Sequence, residues 1–346
     1  MGLFGSSSTT VGLDVGSGFV KVVAIDHSGA QPEVTKVAIR ALPPDTIVEG
    51  EIMDPGVVAD TIRGVLNDTG LKIRDIVTAV GGHDVIIKKI QMDRMTAAEA
   101  RNVIRWEAEQ HVPFDIRSVE LDFQILDQEG EGLQMDVLLV AAKRELVEDK
   151  VNLLRGVGLN PSLIDVEAFA LHNAFEHNHP EAMDGIVALV NIGHETTNVN
   201  ILEDGIPILT RDIPFGSRKI REELQRERGL TAEEADAMIQ GAADHQQDLA
   251  GFVESSADEV AVGIERASAF LMTRQAGAGL GRIYLSGGGA RVPGMQEAIG
   301  RRTGVETLLV NPFERISVQP GAPESLVLEE VAPMLLLPIG LALRSA

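Results

Sequence analysis

Leu13-Asp14-Val15-Gly16-Ser17-Gly18-Phe19-Val20-Lys21 is the stretch on which the fold turns. Val11 to Gly16 reads as a β-strand, Phe19 to Ile25 as its antiparallel partner, and Gly16-Ser17-Gly18 as the turn between them. A glycine hairpin leaves N–H groups uncovered, so polyphosphate oxygens can approach the backbone. Ser17 adds a hydroxyl, Lys21 a point charge for outer phosphates, and Asp14 a carboxylate for Mg²⁺ through a water. The same unit returns further along. Val190-Asn191-Ile192-Gly193 is again a strand entering a glycine turn, with Val199 to Leu202 running back. A third strand, Ile283 to Ser286, runs into Gly287-Gly288-Gly289. These glycine turns lack the Gly-Lys-Ser/Thr of a Walker A loop, and none forms the dinucleotide fingerprint. Two hairpins, each heading a mixed α/β half, predict an internally duplicated fold with a ligand cleft between the halves.

Between the hairpins the pattern changes. Val85 to Met92 alternates like a strand, and Thr96 with Glu99 forms a capping box for a helix through about Gln110. Strands follow at Val119–Leu126 and Met135–Ala142, then a helix from Arg144 to Arg155. This block, residues 85–159, is expected to be a small α+β module inserted into the first half. Ile164 to Phe175 starts extended and becomes helical, and residues 218–266 read as acidic outer helices.

Composition narrows the function. The 346 residues carry 52 acidic against 30 basic side chains, a net charge of −22. Such a field repels phosphate backbones and anionic lipid, so no nucleic-acid binding and no direct membrane binding are expected. Backbone N–H groups can still hold an anion, because that does not depend on net charge. With no cysteine, disulfides, zinc thiolate sites and a cysteine nucleophile are excluded. The longest apolar run, Val331 to Leu343, is broken by Pro333 and Pro338 and is too short to span a bilayer. Met1-Gly2-Leu3-Phe4-Gly5-Ser6 has the spacing of a myristoylation acceptor, a short and common pattern.

The order of hairpin, Asp165-Val166-Glu167 helix start, second hairpin, triple-glycine turn and closing helix resembles the actin/Hsp70/sugar-kinase ATPase superfamily. Residues 14–21 are similar to its phosphate-1 loop, 191–198 to phosphate-2, and Leu285 to Ala290 to its adenosine motif. The position of the insert resembles subdomain 1C of the FtsA/PilM branch. Trp106 to Phe114, Leu139 to Ala142 and Gly158 to Leu171 are similar to the PilM family in particular.

The resemblance implies a duplicated actin-like (ribonuclease H-like) α/β fold, with two lobes around a nucleotide cleft. Subdomain 1A would comprise 1–84, 160–184 and 333–346, 1C 85–159, 2A 185–216 and 268–332, and helical 2B 217–267. It also implies a cytoplasmic scaffold of type IV pilus assembly that binds ATP and Mg²⁺. Nucleotide contacts would fall on Gly16, Ser17, Gly18, Lys21, Asn191, Gly193, His194, Thr196, Thr197, Asp236, Gly287, Gly288 and Gly289, with Asp14 at the metal and Glu167 orienting water. The implied partner is the N-terminal cytoplasmic peptide of a PilN-like inner-membrane protein, held between 1A and 1C. Other inner-membrane assembly proteins and homo-oligomers belong to the same expectation, and the membrane would be reached only through partners. An FtsA-like cell-division protein or a small-molecule kinase is the alternative. The former ends in a linker and membrane helix that Arg344-Ser345-Ala346 does not supply, and the latter needs a base beyond Glu167.

The departures from the superfamily pattern point to slow or absent hydrolysis. Phosphate-2 loops usually start with Asp, and here the residue is Asn191, an uncharged amide and a poorer partner for a metal shell. A second acid is replaced by Asn198, and two glycines by His194 and Glu195. Glu167 could orient water or simply begin its helix. Trp106 is expected to pack on the insert sheet, and His172, His177 and His179 to be solvated at a helix end.

Overall fold

The computed structural model describes residues 9–127, 130, 132–241, 246–269, 271, 279–322 and 326–344. The Met1–Ser6 pattern lies outside them. In chain order the first lobe contains β1 (Thr9–Val15), β2 (Phe19–Asp26), β3 (Glu33–Ala41), the short pair β4 (Ile47–Val48) and β5 (Glu51–Ile52), α1 (Pro55–Thr69) and β6 (Asp75–Val80). The insert follows as β7 (Val85–Asp93), α2 (Ala97–Glu109), β8 (Val119–Ile125) and β9 (Gln134–Lys143). Then come α3 (Arg144–Gly156), β10 (Asn160–Val166) and α4 (Glu167–Asn178). The second lobe holds β11 (Ile186–Ile192), β12 (Thr197–Glu203), β13 (Ile206–Ile213), α5 (Ser217–Arg228), α6 (Ala232–Ile239), α7 (Gln246–Ser268) and β14 (Arg282–Ser286). It is completed by a helix at Met295–Thr303 and β15 (Glu306–Leu309). The chain then returns through β16 (Ser317–Val318) and a closing helix, Leu336–Ala342.

The duplication is explicit in the sheets. The first has the order β10-β6-β1-β2-β3-β16 and the second β13-β12-β11-β14-β15. In each, three antiparallel strands from consecutive hairpins adjoin two parallel ones: β3-β2-β1 beside β6 and β10, and β13-β12-β11 beside β14 and β15. β16 adds a parallel edge by pairing Ser317 with Glu33, so the chain rejoins the first sheet before its closing helix.

Packing explains why both faces of each sheet are apolar. One face of the first sheet buries Leu13, Val20 and Val22 against α1, with Leu154 of α3 in the same core. Its other face and that of the second sheet share a core with Phe175 of α4 and Leu336, Ile339 and Leu341 of the closing helix. Those two helices therefore join the lobes. Gly340 permits their contact, because a Cβ there would overlap the carbonyl of Ala170. The far face of the second sheet carries α5, α6 and α7.

The insert is a three-stranded antiparallel sheet, β7-β9-β8, covered by α2 through Ala100, Ile104 and Ala108. Its capping box is present, with Thr96 and Glu99 satisfying each other's backbone N–H groups. Trp106 is not packed on this sheet, contrary to the sequence reading. It stands on the outer face of α2, 76% exposed, because the inward stripe is filled by small and β-branched residues. The histidine cluster also differs. His172 and His177 are partly buried, with burial lowering both pKa values, and His179 Nε2 lies 3.0 Å from the Asn311 carbonyl oxygen. Among the described residues no helix is long and apolar enough to cross a membrane.

Candidate nucleotide cleft

Both hairpins sit where strands end, the position at which α/β folds bind ligands. In the first, Asp14 faces Lys21 across the β1–β2 ladder, and Lys21 Nζ donates to Asp14 Oδ2 at 2.6 Å. In the second, the duplicated position pairs Asn191 with Asn198. A charged pair in one lobe thus answers an amide pair in the other. Asn191 Oδ1 accepts from the Ser286 hydroxyl at 3.2 Å, and the Asn198 amide donates to Asp212 at 2.9 Å. The Asn198 carbonyl oxygen is buried without a partner, the feature expected of an acceptor that meets a ligand or its water.

The two hairpins touch. A Cβ on Gly18 would lie 2.7 Å from His194 Cγ, so only glycine fits opposite that ring. Gly193 N–H bonds to the Thr196 carbonyl, and Gly193 and His194 carbonyls accept from the N–H groups of Ser217 and Arg218, which fixes the hairpin to the start of α5. Burial, then Arg221 and Arg218, push the His194 pKa down to about 4, so the ring is neutral at pH 7.

Gly287 closes the third turn. At φ +89° it donates its N–H to Pro333, and a Cβ would overlap the Ile192 carbonyl. Gly289 is buried against Ile192, whereas Gly288 faces Met334 with more space.

Glu167 begins α4 beside the first hairpin, packed against the backbone of Gly81. Burial raises its pKa to about 7. Asp14 and Asp212 push in the same direction, and Lys150 and Lys21 oppose them. Lys150, on α3, and Asp212, on β13, act electrostatically on Glu167 and are candidates that the sequence did not offer. Both come from elements with no glycine signature, and only the folded chain sets them near Glu167. Burial lowers the Lys150 pKa, while Glu167 and Asp14 support its charge.

The remaining expected residues divide. Ser17 and Thr196 lie at the hairpin tips. Thr197 is fully buried and donates its hydroxyl to the Phe215 carbonyl at 2.8 Å, so that group is committed within the protein. Asp236, on α6, lies 3.9 Å from Arg221, whose Nε is buried and unpaired. The charge of Arg221 also helps to lower the His194 pKa. Among the described residues no three His, Asp or Glu side chains converge as a metal cluster. Asp14 and the free side-chain oxygen of Asn198 are the groups that would face the water shell of a magnesium ion brought in by phosphate.

Two lobes of the same strand order, joined by two helices and bearing paired glycine hairpins at their junction, define the actin-like ATPase fold. The chain belongs to the family of type IV pilus assembly protein PilM, whose model matches residues 12–346. Among solved structures, the PilM-PilN type IV pilus biogenesis complex is 30% identical, with 97% of this chain and 98% of that one covered and a TM-score of 0.84. The ethanolamine utilization protein EutJ from Carboxydothermus hydrogenoformans shares the fold at 18% identity, with 97% and 90% covered and a TM-score of 0.57. MreB 5 of Spiroplasma citri, solved with AMPPNP, is 10% identical, with 97% and 95% covered and a TM-score of 0.49. The family match and the PilM-PilN relative do not favour the cell-division or kinase alternatives.

Proposed function

We propose that this chain is a cytoplasmic, actin-like scaffold of type IV pilus assembly. It holds ATP with Mg²⁺ between its lobes and binds the N-terminal cytoplasmic peptide of a PilN-like inner-membrane protein. The family membership carries this reading, reinforced by a solved relative that matches nearly the whole chain and is itself a PilM–PilN complex. For the nucleotide, the support is chemical. The paired hairpins, the cation of Lys21 and the orphaned Asn198 oxygen suit a metal-bound polyphosphate. Turnover would be slow or absent, because a bound Mg²⁺ would find the amide of Asn191 where a carboxylate could hold its water.

The peptide lies between the first lobe and the 85–159 insert. An extended segment there gains main-chain hydrogen bonds and side-chain pockets that the minimal two-lobed fold lacks. The chain reaches the membrane through this partner and through other assembly proteins, since its own charge opposes direct binding. Photo-crosslinking from a synthetic peptide of the PilN-like tail tests this. Adducts are expected on the first lobe and the insert. Adducts confined to α5, α6 and α7 would overturn the groove assignment.

A further inference from the structure

One loop of the first lobe crosses to the second at the cleft. It starts at Leu42, whose N–H donates to the Gly18 carbonyl at 2.9 Å, so it is tied to the first hairpin at its base. Its arm is the β4–β5 pair, which reverses through Glu49 and Gly50, both at positive φ (51° and 87°), as a tight two-residue hairpin requires. At the tip, the Glu49 N–H donates to Glu195 Oε2 at 3.0 Å. Glu195 belongs to the second hairpin.

The same carboxylate holds Arg218, whose guanidinium bonds Glu195 at 2.8 Å, Glu222 at 2.6 Å and Asp45 of the crossing loop at 2.6 Å. Arg218 and Glu195 are largely covered, at 25% and 12% exposure. Asp45 is itself at φ +60°, so two of the three positive-φ non-glycine residues among those described lie on this short loop. The loop is held in this form by its own bonds, with the Met53 and Asp54 N–H groups on the Thr46 carbonyl, together with the contacts it makes across the cleft.

We propose that Arg218 is a positioning residue that, with Asp45, Glu49 and Glu195, forms a latch controlling how long nucleotide stays in the cleft. The inference rests on the nucleotide reading given above. With Gly18 against His194, the hairpins meet and the latch joins the lobes beside them, so these contacts oppose any parting of the lobes that nucleotide exchange requires. The carboxylate clamped by Arg218 is carried by the hairpin itself. Nucleotide on that hairpin and closure of the lobes therefore favour each other, in the reciprocal manner of coupled equilibria.

The absence of native cysteine makes the test clean. Asp45→Cys and Arg218→Cys are combined and joined with a short bis-maleimide, after loading with Mg²⁺ and N-methylanthraniloyl-ATP. Release is then followed by stopped-flow against excess ATP. The latch predicts release at least tenfold slower in the crosslinked chain than in the same chain left unlinked. Should the double variant fail to fold, Asp45→Asn, which tolerates the left-handed backbone, is expected to speed release severalfold at an unchanged melting temperature. Equal release with and without the crosslink, or from Asp45→Asn and the unmodified chain, overturns the latch and leaves nucleotide binding standing. Failure of the unmodified chain to bind the analogue overturns both.

Discussion

Asn191 carries the clearest single-residue consequence. Its partner across the ladder is Asn198, and its oxygen accepts from Ser286, so an aspartate there keeps the acceptor and places a negative charge where the proposed Mg²⁺–nucleotide would sit. Asn191→Asp should raise phosphate release, by up to about 10²–10³-fold if the rest of the site is competent, since one electrostatic group is commonly worth that much. The unmodified chain should stay well below about 1 s⁻¹, the low end of ordinary turnover. Faster release by the unmodified chain, in a coupled phosphate assay, would contradict this. His194 gives a pH test. Its folded pKa of about 4 lies below the unfolded value of 6.5, so the unfolded chain takes the proton first as pH falls. The stability cost is absent above about 6.5, grows as acid is added, and is complete below about 4. Melting temperature should decline over that window, and the decline should be shallower in His194→Gln. His172 and His177, also shifted downward, keep part of the slope in the variant.

Among the elements, α2 was the most legible in the sequence. Thr96 and Glu99 announced its start, and the small inward residues set its buried face. Thr96→Ala should cost about 1 kcal/mol, the usual worth of an N-cap. Because α2 packs on the insert sheet alone, hydrogen exchange should quicken in α2 and leave β1 and β11 unchanged. β3 was not legible. The β2–β3 register shifts between Ala24 and Ile25, and the buried positions Val34, Val37 and Ala38 do not alternate. A strand with a bulge in its pairing loses the period of two by which strands are recognised. The glycine turns were visible because they need a residue type, whereas Lys150, Asp212 and Arg218 are ordinary charges on ordinary elements. Their roles arise from which strand end or helix start the fold brings to the cleft.

At the scale of the whole molecule, the duplicated hairpins, the insert and the lack of a spanning helix among the described residues combine into one account. On the function proposed above, a nucleotide-holding scaffold would meet the membrane through a peptide. The sequence showed the duplication through its repeated strand–turn–strand unit, and the two sheets share one strand order. How Glu49 and Asp45 meet Glu195 and Arg218 across the cleft was beyond it, because the contact joins segments some 150 residues apart and nothing in the 45–49 loop or at Arg218 marks it. The most direct measurement is a calorimetric titration of the intact chain, in Mg²⁺ and ATP, with a synthetic PilN-like N-terminal peptide. The account predicts saturable one-to-one binding, lost on charged substitution of the insert surface facing the first lobe while ATP affinity is retained. No saturable heat from the peptide, or binding indifferent to every such substitution, would contradict it.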